Sequence, residues 1–353
     1  MTVPYDFPTA FSGWDGAEES AMQRVIASGR FTMAGEVEAF ESEFGAYHGR
    51  KHCIMVNSGS SANLVAVHAL VRDEKSIATV PALAWATTYA PFMQKGVDLV
   101  LLDCDGTWNA DQGSVQVPIL GNPVVSDYPA MLEDCCESVG ARNDSGQLCG
   151  TASRIATFSF FYSHQISAIE GGAILTDSDG LAERCRLLRN HGWTRGVKEA
   201  DSFAAEYCFT LPGFNVRPVE MHAAIAREQL KKLDEMAAER RKNWNHFAAM
   251  ADGLPIAMQE ITSPHGFNPF CIAFTLPNEK VREKLAIALR AEGIDCRPAI
   301  GGSFRLQPYG RGYSGPPTPN ADRIHYTGMC LGCAPFPIPE KIERAVKVME
   351  KTL

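Results

Sequence analysis

The sequence predicts an α/β protein, with a large unit built on a mostly parallel sheet flanked by helices and a smaller C-terminal α/β unit. Three observations point there. Short apolar runs bounded by polar turns alternate with segments whose apolar residues recur at helical spacing. Residues 53–56 form one such run, and a small polar turn carries it directly into a helical pattern. The chain has 353 residues and 45% hydrophobic content, enough to fill the cores of two units.

Residues 1–30 read as a lead-in with a helix over 17–28. Val37, Phe40 and Phe44 fall at helical spacing within 36–47 and predict a helix laid on the core. After the strand at 53–56 comes the turn Asn57-Ser58-Gly59-Ser60-Ser61-Ala62-Asn63, then a helix carrying Leu64, Val67, His68 and Leu70. A strand, a polar turn and a helix present free backbone amides and a positive dipole end to an anion, although such turns also serve simply as helix caps. Further strands are expected at 77–80, 97–103, 115–120, 131–134, 154–160 and 173–176, with a helix through Tyr89 and Phe92. Ligands of such sheets lie beyond the carboxyl ends of the strands. The 57–63 turn, Trp85, Asp134 and His164 all fall at or just after a strand, so one crevice should collect them.

Beyond Asp177 the chain is helical and charged. A helix is expected over 181–189. The loop 213–218 opens a long helix with Met221, Ile225, Leu230 and Leu233 inward, and its basic stretch Arg240-Arg241-Lys242 reads as a solvated face. The unit boundary is placed on this helix, giving residues 1–235 and 236–353. Strands at 272–276 and 294–297, a helix over 281–292 and a closing helix with Ile342, Val346, Met349 and Leu353 complete the smaller unit. The Gly- and Pro-rich 303–319 stretch reads as a long loop.

A net charge of −8 and no basic arm argue against a nucleic-acid partner. No apolar run approaches a membrane span, and residues 1–6 lack the regions of a signal peptide, so a cytoplasmic setting is expected. The eleven cysteines are scattered and read as buried thiols; Cys330 and Cys333 lack the second half of a zinc site, so no metal is expected.

The stretch that organises these parts is 158–173: Phe-Ser-Phe-Phe-Tyr-Ser-His-Gln-Ile-Ser-Ala-Ile-Glu-Gly-Gly-Ala. It reads as strand, turn and strand with His164 at the apex. It resembles the cofactor-lysine segment of the nucleotide-sugar aminotransferases, pyridoxal phosphate (PLP) enzymes of the aspartate-aminotransferase-like fold type I. The resemblance runs from about Gly29 to the last helix. Laid on that pattern, the lysine position is His164, and no lysine occurs between Lys95 and Lys198.

What the resemblance implies can be stated residue by residue. Ser60, Ser61 and Ser159 are expected on the cofactor phosphate, and Trp85 on the pyridine face. Asp134 is expected at the pyridine nitrogen, where a carboxylate keeps the ring protonated and a better electron sink. Glu137 is a candidate for the phenolic oxygen. Asn215 is expected to reach the phosphate of a second subunit, which implies a homodimer with shared sites. Arg217, Arg297 and Arg305 are candidates for the diphosphate of a nucleotide sugar.

An imidazole cannot form the amine linkage that tethers PLP, so the cofactor's amino form, pyridoxamine phosphate (PMP), can persist. With an ordinary pKa near 6.5, His164 can still move protons. The substitution is that of a branch of the family, the PMP-dependent 3-dehydratases of nucleotide-linked 4-keto-6-deoxy sugars, which draw the amino group from L-glutamate. The iron–sulfur motif of a sister branch, started at Cys136, lands on Thr194, Gly196 and Ala204, so no cluster is expected. An aminotransferase with another amine, or a non-catalytic PLP-binding protein, are the competing readings.

Overall fold

The computed structural model describes residues 5–71, 76–195, 197 and 202–353. Met1–Pro4, part of the stretch read for a signal peptide, and Gly196 and Lys198 lie outside them. Helices α1 (Gly16–Ser28) and α2 (Gly35–His48) precede β1 (His52–Val56) and α3 (Gly59–Leu70). Next come β2 (Ile77–Pro81), α4 (Ala86–Gln94), β3 (Asp98–Leu102), β4 (Val115–Gln116), β5 (Leu132–Asp134), β6 (Ile155–Ser159) and β7 (Gly172–Thr176). Then α5 (Asp179–Arg189) and the long α6 (Glu220–Met250) lead to β8 (Ala257–Met258), β9 (Cys271–Thr275), α7 (Glu279–Ala291) and β10 (Cys296–Pro298). The chain closes with α8 (Pro319–Thr327), β11 (Gly328–Gly332) and α9 (Pro339–Thr352).

The main sheet has the order β1-β7-β6-β5-β4. Pairs β4–β5 and β5–β6 are parallel, while β7 runs antiparallel to both of its neighbours. Strands β2 and β3 form a parallel pair. They are joined to the edge beside β4 by Thr79 and Ser114, whose side chains and backbone amides bond reciprocally at 3.0 and 2.7 Å. Alternation along β1 divides two cores, since successive side chains point to opposite faces. Ile54 and Val56 pack with Val65, Tyr89, Leu101 and Ile174 under α3, α4 and α5. Met55 faces the other way, with Phe40, Phe44, Phe158, Phe160, Ile225 and Leu233 under α2 and α6.

An antiparallel sheet in the order β10-β11-β9-β8 supports a further core of Phe247, Phe274, Leu285, Leu331, Val346 and Met349, which also takes in Phe7 and Phe11 from the lead-in. Nine of the eleven cysteines are buried, where a thiol behaves as a small apolar group. Among the described residues, no helix is long and apolar enough to cross a membrane.

Several expectations are corrected. The strand expected over 115–120 stops at Gln116, because the amide of Ile119 turns to Asn109 Oδ1 at 3.0 Å and the chain enters a 3-10 turn. Strand β8, helix α8 and strand β11 carry no strong periodic signal and were not anticipated. Arg240 does not lie on a solvated face: it is 2% exposed, wedged between α6 and the small sheet. Consecutive residues of a helix point in different directions, so Arg240 meets the small sheet while Lys242 stays exposed. Buried Glu220 shows the same helix at work at its other end. Its carboxylate accepts from the amides of Ala34, Glu36 and Val37 at 2.8–3.1 Å, satisfying donors that α2 cannot.

Candidate active site

The end of β1 delivers the chain to an anion cup. Ser58 caps α3, its Oγ accepting from the Ser61 amide at 3.1 Å and bonding the Ser61 hydroxyl at 3.0 Å. The amides of Gly59 and Ser60, in the first helical turn, have no acceptor inside the helix. The Ser60 hydroxyl bonds Thr87 Oγ1 at 2.9 Å, tying the start of α3 to the start of α4. A Cβ on Gly59 would lie 2.5 Å from Ser159 Cβ and 2.8 Å from Cys136 Sγ, so only glycine lets α3 sit on the ends of β6 and β5. Gly172 plays the matching part in the hairpin. A Cβ there would fall 2.4 Å from the Ser58 carbonyl carbon, and Gly171 bridges Ser58. The glycines thus allow close approach of chain to chain.

Asp134 ends β5 with its carboxylate aimed at α3 and α4. Oδ2 accepts from Asn63 Nδ2 at 2.8 Å and Thr88 Oγ1 at 2.7 Å; Oδ1 accepts from the Cys136 amide at 3.2 Å. Asn63 is oriented in turn by Thr157, whose hydroxyl donates to its Oδ1 at 2.6 Å. Donors reach both oxygens, and Oδ1 keeps room for one more. Asn63, Thr88 and Thr157 were missed as functional residues; only their spacing from glycines and strand ends hinted at them. Trp85 precedes α4 with its ring 58% exposed, a flat apolar surface left open beside Ser60 and Thr87.

His164 sits in the β6–β7 hairpin, half-buried. Its ring meets Phe270 edge to face at 4.9 Å and Phe161 at 5.8 Å, and Nδ1 lies 3.3 Å from Ser163 Oγ. Burial, and secondly the charge of Arg240, push its pKa down to about 3. The ordinary value expected from sequence therefore does not hold here. The ring is neutral at physiological pH. Glu137 moves the opposite way. Burial pushes it up to about 7, against the Leu120 amide that donates to Oε2 at 3.2 Å.

The remaining candidates divide. Phe304 donates its amide to Ala82 O at 2.9 Å and Leu83 bridges Ser303, which brings the Arg305 segment against that of Trp85. Arg305 itself holds Asp322 through Nε at 2.7 Å. Asn215 is exposed and bridges Asn190; Arg217 donates to Asn190 Oδ1 at 2.6 Å and His191 Nε2 at 2.8 Å. Arg297 lies on β10, and its one ion pair among the described residues is with Asp295 at 3.8 Å. The structure therefore groups Ser60, Ser61, Trp85, Asp134 and Ser159 into one cluster and sets Arg305 on its rim.

The cluster fits a phosphorylated pyridine. Amides and hydroxyls converge at one end, a held carboxylate lies at the other, and an open indole flanks them. Among the described residues, no group of side chains could hold a metal ion.

Comparison with known proteins agrees with this geometry. The chain matches the DegT/DnrJ/EryC1/StrS aminotransferase family over residues 14–121 and 129–350. It is 35% identical to a GDP-4-keto-6-deoxy-D-mannose 3-dehydratase of Yersinia pseudotuberculosis, covering 99% of each chain. The structure of the Escherichia coli GDP-4-keto-6-deoxy-D-mannose-3-dehydratase with bound hydrated PLP superposes with a TM-score of 0.90 at 32% identity, over 98% of this chain and 100% of that one. A GDP-4-keto-6-deoxymannose-3-dehydratase carrying a trapped PLP-glutamate geminal diamine gives 0.89 at 32% identity, with the same coverage. With that match spanning nearly all of its length, this chain belongs to the DegT/DnrJ/EryC1/StrS aminotransferase family.

Proposed function

We propose that this protein is a PLP/PMP-dependent 3-dehydratase that removes the C3 hydroxyl of a GDP-linked 4-keto-6-deoxy sugar, with L-glutamate as amino donor and no iron–sulfur cluster. The observation that carries the reading is an imidazole at the hairpin apex where the family's amine would stand, beside an intact cofactor cluster. The relatives' substrates favour GDP over other nucleotides.

The cofactor, when bound, supplies an amine for the C4 ketone and an electron sink for loss of the C3 hydroxyl. The start of α3, with Ser60, Ser61 and Ser159, holds its phosphate, and Trp85 covers its ring. Asp134, fixed by Asn63 and Thr88, keeps a proton on the pyridine nitrogen. Glu137 approaches the phenolic oxygen. His164 accepts a proton from the C4′ carbon and returns one to the departing hydroxyl. Arg217, Arg297 and Arg305 are proposed for the diphosphate, Arg305 with the best support because its segment packs on that of Trp85.

The same reading makes the protein a cytoplasmic homodimer in which Asn215 serves the partner's phosphate, and divides it into a cofactor-binding unit, 1–235, and a small unit, 236–353. Exposed Phe203, Tyr207 and Phe209, 88%, 71% and 56% accessible, lie in the stretch before Asn215 and support an association surface. The separate core around β9 and β11 supports the division.

The test is incubation with PLP, L-glutamate and a panel of nucleotide 4-keto-6-deoxy sugars, with products weighed. Loss of one oxygen in step with glutamate consumption supports the proposal, and His164→Asn should abolish it while retaining PLP. A ketone converted to an amine would sink it in favour of an aminotransferase. Sedimentation at micromolar concentration tests the dimer.

A further inference from the structure

We propose that Arg240 is a positioning residue for His164, anchoring the segment whose phenyl ring seats the imidazole. The inference rests on the reading of His164 as the proton-transfer group. Arg240 is buried in α6 and, among the described residues, pairs with no carboxylate. Its Nη1 donates to Cys333 O and, at 3.5 Å, to Pro269 O, while its Nε has no partner. A buried arginine satisfied only by carbonyls is costly to keep, and a structural tie between strands needs no charge.

The segment it grips leads straight to the ring. Pro269 is followed by Phe270, whose ring meets His164 edge to face at 4.9 Å. Other bonds hold the same segment from beneath. The Phe270 amide donates to Leu120 O at 3.0 Å and the Asn268 amide to Gly121 O at 3.1 Å. Gln165, next to His164, donates through Nε2 to Glu137 O at 2.5 Å and Asn268 O at 3.3 Å. Backbone beside the imidazole and backbone beside its packing partner are therefore clamped together.

The groups around the imidazole are few. Its own hairpin offers the Ser163 hydroxyl and the Phe161 ring. Helix α6 contributes Arg240, the 268–270 segment contributes Phe270 with the Cys271 thiol behind it, and the loop after β5 contributes Glu137, turned to the Leu120 amide. Arg240 is the charge that acts on the ring, and it opposes protonation.

The experiment is proton NMR titration of the His164 ring in the cofactor-free protein, assigned with His164→Asn, together with the rate at which L-glutamate converts bound PLP to PMP. Arg240→Gln should raise the titration midpoint by at least one pH unit and lower that rate at least tenfold with little change in KM. Arg240→Lys, which keeps charge but loses the planar fork, should hold the midpoint low and still lower the rate. A wild-type rate in folded Arg240→Gln or in Arg240→Lys would overturn the proposal. Should Arg240→Gln fail to fold, Phe270→Leu decides the positioning role. A rate at least fivefold lower supports it, and an unchanged rate refutes it. Because the titration needs no sugar, failure of the dehydratase reading and failure of this one are separable.

Discussion

Replacing Asn63 by Leu keeps the branched shape and the heavy-atom count at the buried end of α3 but removes both of its hydrogen bonds. One of them, from Nδ2 to Asp134 Oδ2 at 2.8 Å, is charge-assisted and worth about 1.5–3 kcal/mol; the other, from Thr157, is worth about 0.5–1.5 kcal/mol. Asn63 is 2% exposed, so water cannot replace them. The expected loss of stability is about 2–4 kcal/mol, read as a lower urea midpoint at unchanged slope. Asp134 also loses one of the two donors on Oδ2 and is held less firmly where the pyridine nitrogen is to be met. Loss of about 1.5 kcal/mol of that alignment corresponds to about tenfold weaker PLP binding, measurable by fluorescence titration. A variant with wild-type urea midpoint and wild-type PLP affinity would refute the view that Asn63 holds Asp134.

Other outcomes follow from contacts already described. Gly172→Ala must press a methyl within 2.4 Å of the Ser58 backbone, and should lower stability by about 1–3 kcal/mol in a thermal or urea melt. Glu220→Gln weakens three bonds to the start of α2 and should destabilise by about 1–3 kcal/mol, with faster amide exchange at Ala34, Glu36 and Val37. Two groups set opposing pH trends. Glu137 is raised from 4.5 to about 7, so the folded state binds the extra proton and stability falls as pH rises through that window. His164 is lowered from 6.5 to about 3, so its contribution is whole above 6.5 and is lost as pH falls toward 3. Wild type should therefore vary little between these trends, whereas Glu137→Gln should gain up to about 2–3 kcal/mol over wild type between pH 5 and 7, seen in paired urea midpoints.

Features carried by neighbouring residues were legible in the sequence. The hairpin around His164 could be read because an apolar run, a polar turn and Glu-Gly-Gly follow one another, and the α3 cup because its turn is contiguous. Asn63 and Thr157 were not, since their partners stand 71 and 94 residues away and small polar residues in such places more often cap or solvate. Arg240 was misread for a related reason. A basic triplet looks the same whether one member faces water or carbonyls, and only the packing of α6 on the small sheet distinguishes them. The value for His164 shifted because burial and a charge from another element cannot be seen in its own segment.

The reversed direction of β7 has a consequence for how chemistry can change in this protein. A crossover between parallel strands would leave His164 on a long excursion, its position set by whatever packs on it. Here both ends of its loop belong to adjacent rungs of one ladder, with Ser159 opposite Gly172. The first turn of α3 rests against that same rung. The apex is thus surveyed from the sheet itself and not from the side chain it displays. Amine or imidazole at 164 would stand over the same floor, so one codon can exchange a tethering group for a proton carrier without moving the rest of the site.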